Sequence, residues 1–198
     1  MTVQSESPWM TKGSPVRVVG AASAIAIIMA VVLRFNGRIW WCKFGDWAIY
    51  VNQAWNSSHT SQHIFDPYSF THVLHGVLGF WLAGLLLKNY RKSVWLVVTL
   101  AVEAAWELLE NSNFIIEKYR ENTASLDYFG DSIANSIGDL MACAVGFLIA
   151  LKLGVWRSLI FFVIVELILL FWIRDGFLLN IVMLVYPLEW IKQWQMGA

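Results

Sequence analysis

The chain has 198 residues, 58% of them hydrophobic and 14% charged, with 12 tryptophans and a mean hydropathy of +0.57. That charged fraction falls well below the roughly 25% of an average soluble domain, which excludes an ordinary soluble fold. The 14 basic and 14 acidic residues cancel, which gives no reason to expect a nucleic-acid partner or a polybasic lipid anchor.

The apolar residues fall in long blocks, so the expected class is all-α, a polytopic membrane helix bundle of about six spans forming one domain over residues 16–191. Residues 1–15 and 192–198 are expected to be cytoplasmic tails. The first span covers about 16–35. Its apolar run from Val18 continues past the small residues Ala21–Ala24 without a cleavage site before Arg34, so it reads as an uncleaved span rather than a signal peptide.

A long aromatic connection follows, from Asn36 to Asp66. Trp40, Trp41, Trp47 and Trp55 in it suit the headgroup region of a bilayer. Span two opens at Asp66-Pro67, an amide-capping acid followed by a proline suited to the first helical turn, and runs to about Leu87. Gly76, Gly79, Ala83 and Gly84 make one of its sides small enough for close helix approach. Span three covers about 94–109, a polar loop 110–125, span four 126–151, span five 158–173 and span six 177–191.

With the N-terminus inside, eight basic residues fall on the inner side and six on the outer, and the cluster at 88–92 is the densest. Cytoplasmic termini are therefore expected. Cys42 falls in an outer loop and Cys143 deep in span four, so both are expected to be unpaired.

Chemistry concentrates between Glu103 and Asp139. Glu103, Glu107 and Glu110 share one helix face by spacing, and Asp127, Asp131, Asn135 and Asp139 recur every four residues, which predicts a second polar stripe on the next helix. Acids at membrane depth usually face a bundle interior or a wet cavity and mark function. His72 and His75 approach the same level from span two, whereas His59 and His63 sit in a soluble-looking segment and read as surface groups.

Imidazole and carboxylate together are ligands for zinc, manganese or iron, and also general acids and bases. The expected site has His72, His75, Glu107 and Asp131 as ligands of a divalent metal (zinc or manganese). Glu103 or Asp127 acts as base beside Glu107, and Glu110, Asn135 and Asp139 form a polar network. Tyr119 and Arg120 offer a clamp for an anionic headgroup, since a guanidinium fork matches phosphate oxygens. Such a site near the outer leaflet fits a hydrolase or transferase acting on membrane lipid or a lipid-linked envelope substrate.

Two other classes stay open: a proton- or cation-coupled transporter using Glu103, Asp139 and Glu166, and an assembly protein whose stripes only fix helix register. Glu166 alone reads equally as a helix-contact acid or a relay member.

The strings SQHIFDPYSFTHVLHG, EAAWELLENSNFIIEKYR and SLDYFGDSIANSIGD resemble an uncharacterised bacterial integral-membrane family classed as a domain of unknown function. That resemblance implies a multi-pass inner-membrane protein without an assigned reaction. A second resemblance is to VanZ-like membrane proteins, with His72 or His75, then Glu107, then Asp131, Asn135 and Gly138 filling the pattern.

Overall fold

The computed structural model describes residues 15–54 and 57–197, so the N-terminal tail before Pro15 and Trp55 lie outside the described residues. Seven helices follow in order: α1 (Pro15–Phe35), α2 (Ser69–Leu86), α3 (Lys92–Glu110), α4 (Asn113–Asn122), α5 (Ile133–Ile173), α6 (Phe177–Val185) and α7 (Glu189–Met196). The described residues contain no β-strand, only an isolated bridge between Tyr50 and Phe65.

Three helices, α1, α2 and α5, are long and apolar enough to cross a membrane. At 19 residues α3 has the length of a span, but Lys92, Glu103, Glu107 and Glu110 lower its hydropathy.

The expected spans four and five are joined in α5, whose backbone leaves the helix at Gly154 (φ 74°, ψ 177°). That conformation is essentially restricted to glycine. Contacts with α2 show that the chain reverses there. Val73 packs against Gly146 and Ile64 against Gly138, so the first half of α5 runs parallel to α2. Trp81 Nε1 then donates to Ser158 Oγ at 2.9 Å, and the ring of Phe70 meets that of Trp172, so the second half runs back antiparallel.

Leu74, Val77 and Phe80 of α2 form one core with Phe147, Phe162 and Leu169 of α5. Met29 and Leu33 of α1 form another with Leu100, Ile133, Leu140 and Cys143.

Three expectations need correction. Span four does not begin at 126: α5 starts at Ile133, where the Ser132 side chain accepts from Asn135 N at 3.1 Å. Asp127 and Asp131 therefore lie in the preceding loop, and the second stripe on the helix is reduced to Asn135 and Asp139. The polar loop after span three holds a helix of its own, α4, capped by Ser112.

The sixth span is not a crossing. With 9 residues, α6 rises about 13 Å, under half of a hydrocarbon core about 30 Å thick. It stops ahead of Pro187, which removes a backbone donor and disfavours helix at the residue before it. Lys192 Nζ then reaches Glu121 O, and Arg174 Nη1 donates to Trp194 O at 3.0 Å. Helix α7 thus lies back at the end of the bundle where α5 finishes, and the C-terminus emerges there rather than at the opposite end with the N-terminus of α1.

At that same end the Asp175 carboxylate accepts from Gly176 N at 2.8 Å and from the Tyr68 hydroxyl at 3.0 Å. Burial nevertheless pushes its pKa from 3.8 up to about 7, against the pull of those donors. A raised native pKa means that the folded state holds this proton more tightly than the unfolded state. The associated stability is full below the ordinary carboxylate pKa and is lost as pH rises through about 7. The unfolding free energy in detergent should therefore fall between pH 4 and 7, by up to about 1.4 kcal/mol per pH unit. Asp175→Asn should flatten that slope, and an unchanged slope in the variant would assign it to other groups.

Candidate functional site

The ends of four helices converge at this pole of the bundle. The first turns of α2 supply His72 and His75, the last turns of α3 supply Glu103, Glu107 and Glu110, and the first turns of α5 supply Asn135 and Asp139. Helix α6 closes the side with Phe177, Asn180, Ile181 and Leu184. Between them lies a cavity of about 250 Å³. Its lining combines His72, His75, Glu110, Asp131 and Asp139 with the apolar Trp106, Phe177, Ile181 and Leu184, and the rings of Trp106 and Phe177 pack edge-on against His75.

Glu103 holds both histidines of α2. Its Oε1 lies 2.5 Å from His72 Nδ1, and His75 Nδ1 is 2.9 Å from Oε2. With hydrogen on both Nδ1 atoms, the Nε2 lone pairs of the two rings stay available. That is the arrangement in which a carboxylate orients a metal-binding imidazole from behind. His72 Nε2 faces Asp139 Oδ2 at 3.8 Å.

Glu107 is the anomaly of the site. It is fully buried, and neither carboxylate oxygen accepts a hydrogen bond. Its Oε1 lies 3.3 Å from His72 Nδ1, but the hydrogen on that nitrogen is directed at Glu103. Asp139 Oδ1, Glu110 Oε2 and the Asn135 amide nitrogen are likewise buried without partners. A buried carboxylate without donors is among the most costly groups a protein can hold, and a cation supplies the missing interaction.

Ligand atoms of His72, Glu107 and Asp139 all lie within 4.8 Å of one another, as do those of Glu107, Glu110 and Asp131 and those of His72, His75 and Glu103. Three overlapping groups thus share one small volume. These donors are imidazole nitrogen and carboxylate oxygen without thiolate, a set that suits zinc, manganese or iron.

The expected residues divide accordingly. His72, His75, Glu103, Glu107, Glu110, Asn135 and Asp139 come together. Asp131 lies beside them, but both of its oxygens are engaged, Oδ1 by the Tyr128 hydroxyl at 2.9 Å and Oδ2 by Asn111 Nδ2 at 2.7 Å. Burial raises its pKa against those two donors. Asp131 is thus tied to Asn111 and Tyr128 while staying within ligand distance of Glu107 and Glu110.

Asp127 is exposed and does not line the cavity, so the structure does not place it as a base. Tyr119 lines the cavity and donates to Glu110 Oε1 at 2.9 Å, whereas Arg120 is exposed and its Nε donates to Tyr128 O. The expected headgroup clamp thus keeps Tyr119 at the cavity and loses Arg120 from it. Glu166 receives Phe177 N at 2.8 Å and Leu178 N at 3.2 Å, which makes it the cap of α6 and removes it from a proton path through Glu103 and Asp139.

Sequence reading missed Tyr68, Trp106, Asn111, Tyr128 and the α6 wall. Asn111 directly follows the Glu103–Glu110 stripe, and this adjacency is the signal that could have found it.

Residues 33–197 match a family described as "Protein of unknown function (DUF2585)". The chain is similar to a UPF0314 protein of Brucella anthropi, 44% identical over 177 residues that cover 88% of each chain. A UPF0314 protein of Agrobacterium fabrum is 40% identical over 195 residues, 98% of this chain and 97% of the relative. One from Paracoccus denitrificans is 40% identical over 176 residues, 88% of this chain and 90% of the relative. No solved structure matches the chain. The VanZ-like resemblance is not shown by these comparisons.

Proposed function

Because the chain belongs to the DUF2585 family of bacterial proteins, whose description carries no activity, we propose its function from the cluster itself: a multi-pass inner-membrane hydrolase or transferase with a divalent metal centre, acting on a lipid-linked substrate. The carrying observation is Glu107, buried with two unpartnered carboxylate oxygens beside His72 and Asp139. His72, Glu107 and Asp139 are the ligands, with His75 or Glu110 completing the set. Glu103 positions the imidazoles. A divalent metal held by these residues would supply activation of water as a nucleophile at neutral pH.

The shape of the cavity supports the substrate class. A volume of about 250 Å³ accommodates a headgroup rather than a whole lipid, and the apolar α6 wall suits the start of a hydrocarbon chain. The N-terminus of α1 is assigned to the cytoplasm and the cluster to the outer half of the membrane. In support, the densest basic cluster of the chain, Lys88, Arg91 and Lys92, lies in the short 87–92 link at the opposite pole.

Detergent-purified protein should release product from lipid-linked phosphate or ester substrates, lose that activity on chelation and regain it with zinc or manganese. Turnover that survives complete metal removal would sink the metal-dependent reading.

A further inference from the structure

A second group of metal-type ligands lies outside the bundle, in the connection between α1 and α2. Cys42, His59 and His63 offer ligand atoms that converge within 4.8 Å. Cys42 Sγ is 3.5 Å from His59 Nδ1, and His59 Nδ1 is 3.4 Å from His63 Nε2. Asp46 Oδ2 stands 3.9 Å from each of those two ring nitrogens. The Cys42–His59 and His59–His63 separations are close to the edges of a tetrahedron: with Zn–N about 2.0 Å and Zn–S about 2.3 Å, N···N and N···S edges come to about 3.3 and 3.5 Å, and the Asp46 oxygen stands beyond such an edge and closes in as the fourth ligand.

The orientation of each donor fits the same reading. His63 is fully buried, and its Nδ1 donates to Ala48 O at 2.7 Å, so its Nε2 presents a lone pair to the cluster. The Asp46 carboxylate is held by Ala48 N at 2.9 Å on the oxygen that faces away from the histidines. His59 Nδ1 cannot donate to His63 Nε2 and also receive a hydrogen from Cys42, so hydrogen bonding alone leaves one of three converging groups unserved. A single cation satisfies all of them.

We propose that Cys42, Asp46, His59 and His63 form a closed structural zinc site. It is distinct from the cluster around Glu107 and does not rest on the reading of that cluster. Its four protein ligands leave no position for substrate. Its effect is on the neighbouring cavity wall. His59 and His63 bracket Thr60 and Ser61, both of which line the cavity. Ser61 has a left-handed backbone, φ 57°, secured by its N–H to Asp66 Oδ2 at 2.8 Å. Gln62 Nε2 reaches Gly130 O at 2.9 Å across the two loops. Zinc pins this turn to the 42–46 segment and so holds the lip of the cavity in place.

The test uses the full-length protein stripped of metal in detergent and titrated with cobalt(II). Wild type should show a thiolate-to-cobalt charge-transfer band with tetrahedral d–d intensity. The band should disappear in Cys42→Ser and His63→Ala and persist in Glu107→Gln. In parallel, zinc should slow alkylation of Cys42 in unmutated protein by tenfold or more, a readout that needs no variant to fold. Absence of the thiolate band in wild type, its survival in Cys42→Ser, or equal alkylation rates with and without zinc would each overturn the proposal. Loss of metal from the Glu107 cluster alone leaves the band untouched, so the two sites fail separately.

Discussion

Glu107→Gln is expected to abolish metal-dependent turnover and to weaken metal binding at the central cluster by about 100-fold or more, while the bundle remains folded. The substitution keeps shape and volume and removes only the negative charge that a divalent cation needs. Its effect on stability separates the alternatives. In metal-free protein the charge of Glu107 has no donor, so Gln should leave stability unchanged or raise it. In metal-loaded protein the same change removes a ligand and should lower the midpoint. A register-fixing network predicts the reverse pattern, with loss of stability in both states. Thermal unfolding of the two proteins, each with and without metal, separates these cases.

The largest structural effect is expected where α2 and α5 cross. A Cβ added to Gly76 would sit 1.9 Å from Cys143 O, and one added to Gly146 would sit 1.9 Å from Val73 O. Both obstacles are backbone atoms inside helices, so neither can rotate away, and the helices must separate. Gly76→Ala and Gly146→Ala should each cost about 3 kcal/mol or more. Because His72 and His75 ride on α2 and Asp139 on α5, either change should also spread the cluster and weaken metal binding. Gly84→Ala provides the control: its Cβ would meet only the Trp95 ring at 3.4 Å, and the cost should be small. Equal unfolding midpoints for all three variants would contradict the close crossing.

The all-helical class was legible because long apolar blocks leave few alternatives, whereas the small stripe on α2 serves two neighbours, Gly76 meeting α5 and Gly79 and Gly84 meeting Thr99 and Trp95 of α3. Less legible was where helices stop. The four-residue recurrence of Asp127, Asp131, Asn135 and Asp139 fits a helix by spacing alone. Ser132, however, caps the helix three residues before Asn135 and leaves the first two acids in a loop. The short α6 also had a visible cause, Pro187, which the apolar run from Phe177 to Ile191 outweighed in the reading of the sequence.

The gathering of His72 and His75 with Glu103 and Glu107 follows from shared helix faces, which periodicity exposes. The grouping of Cys42 and Asp46 with His59 and His63 depends on a fold-back of irregular backbone that periodicity cannot show. Only the three-residue gap between the two histidines hinted at it, a spacing common among zinc ligands.

The most direct test of the central claim is an anomalous-scattering map from crystals of zinc- or manganese-loaded protein, recorded at the absorption edge of the metal. The account predicts a peak between His72, Glu107 and Asp139, within about 2.0–2.3 Å of at least three of their nitrogen and oxygen atoms. A map with no anomalous peak there, and with Glu107 hydrogen-bonded to ordered water instead, would contradict it.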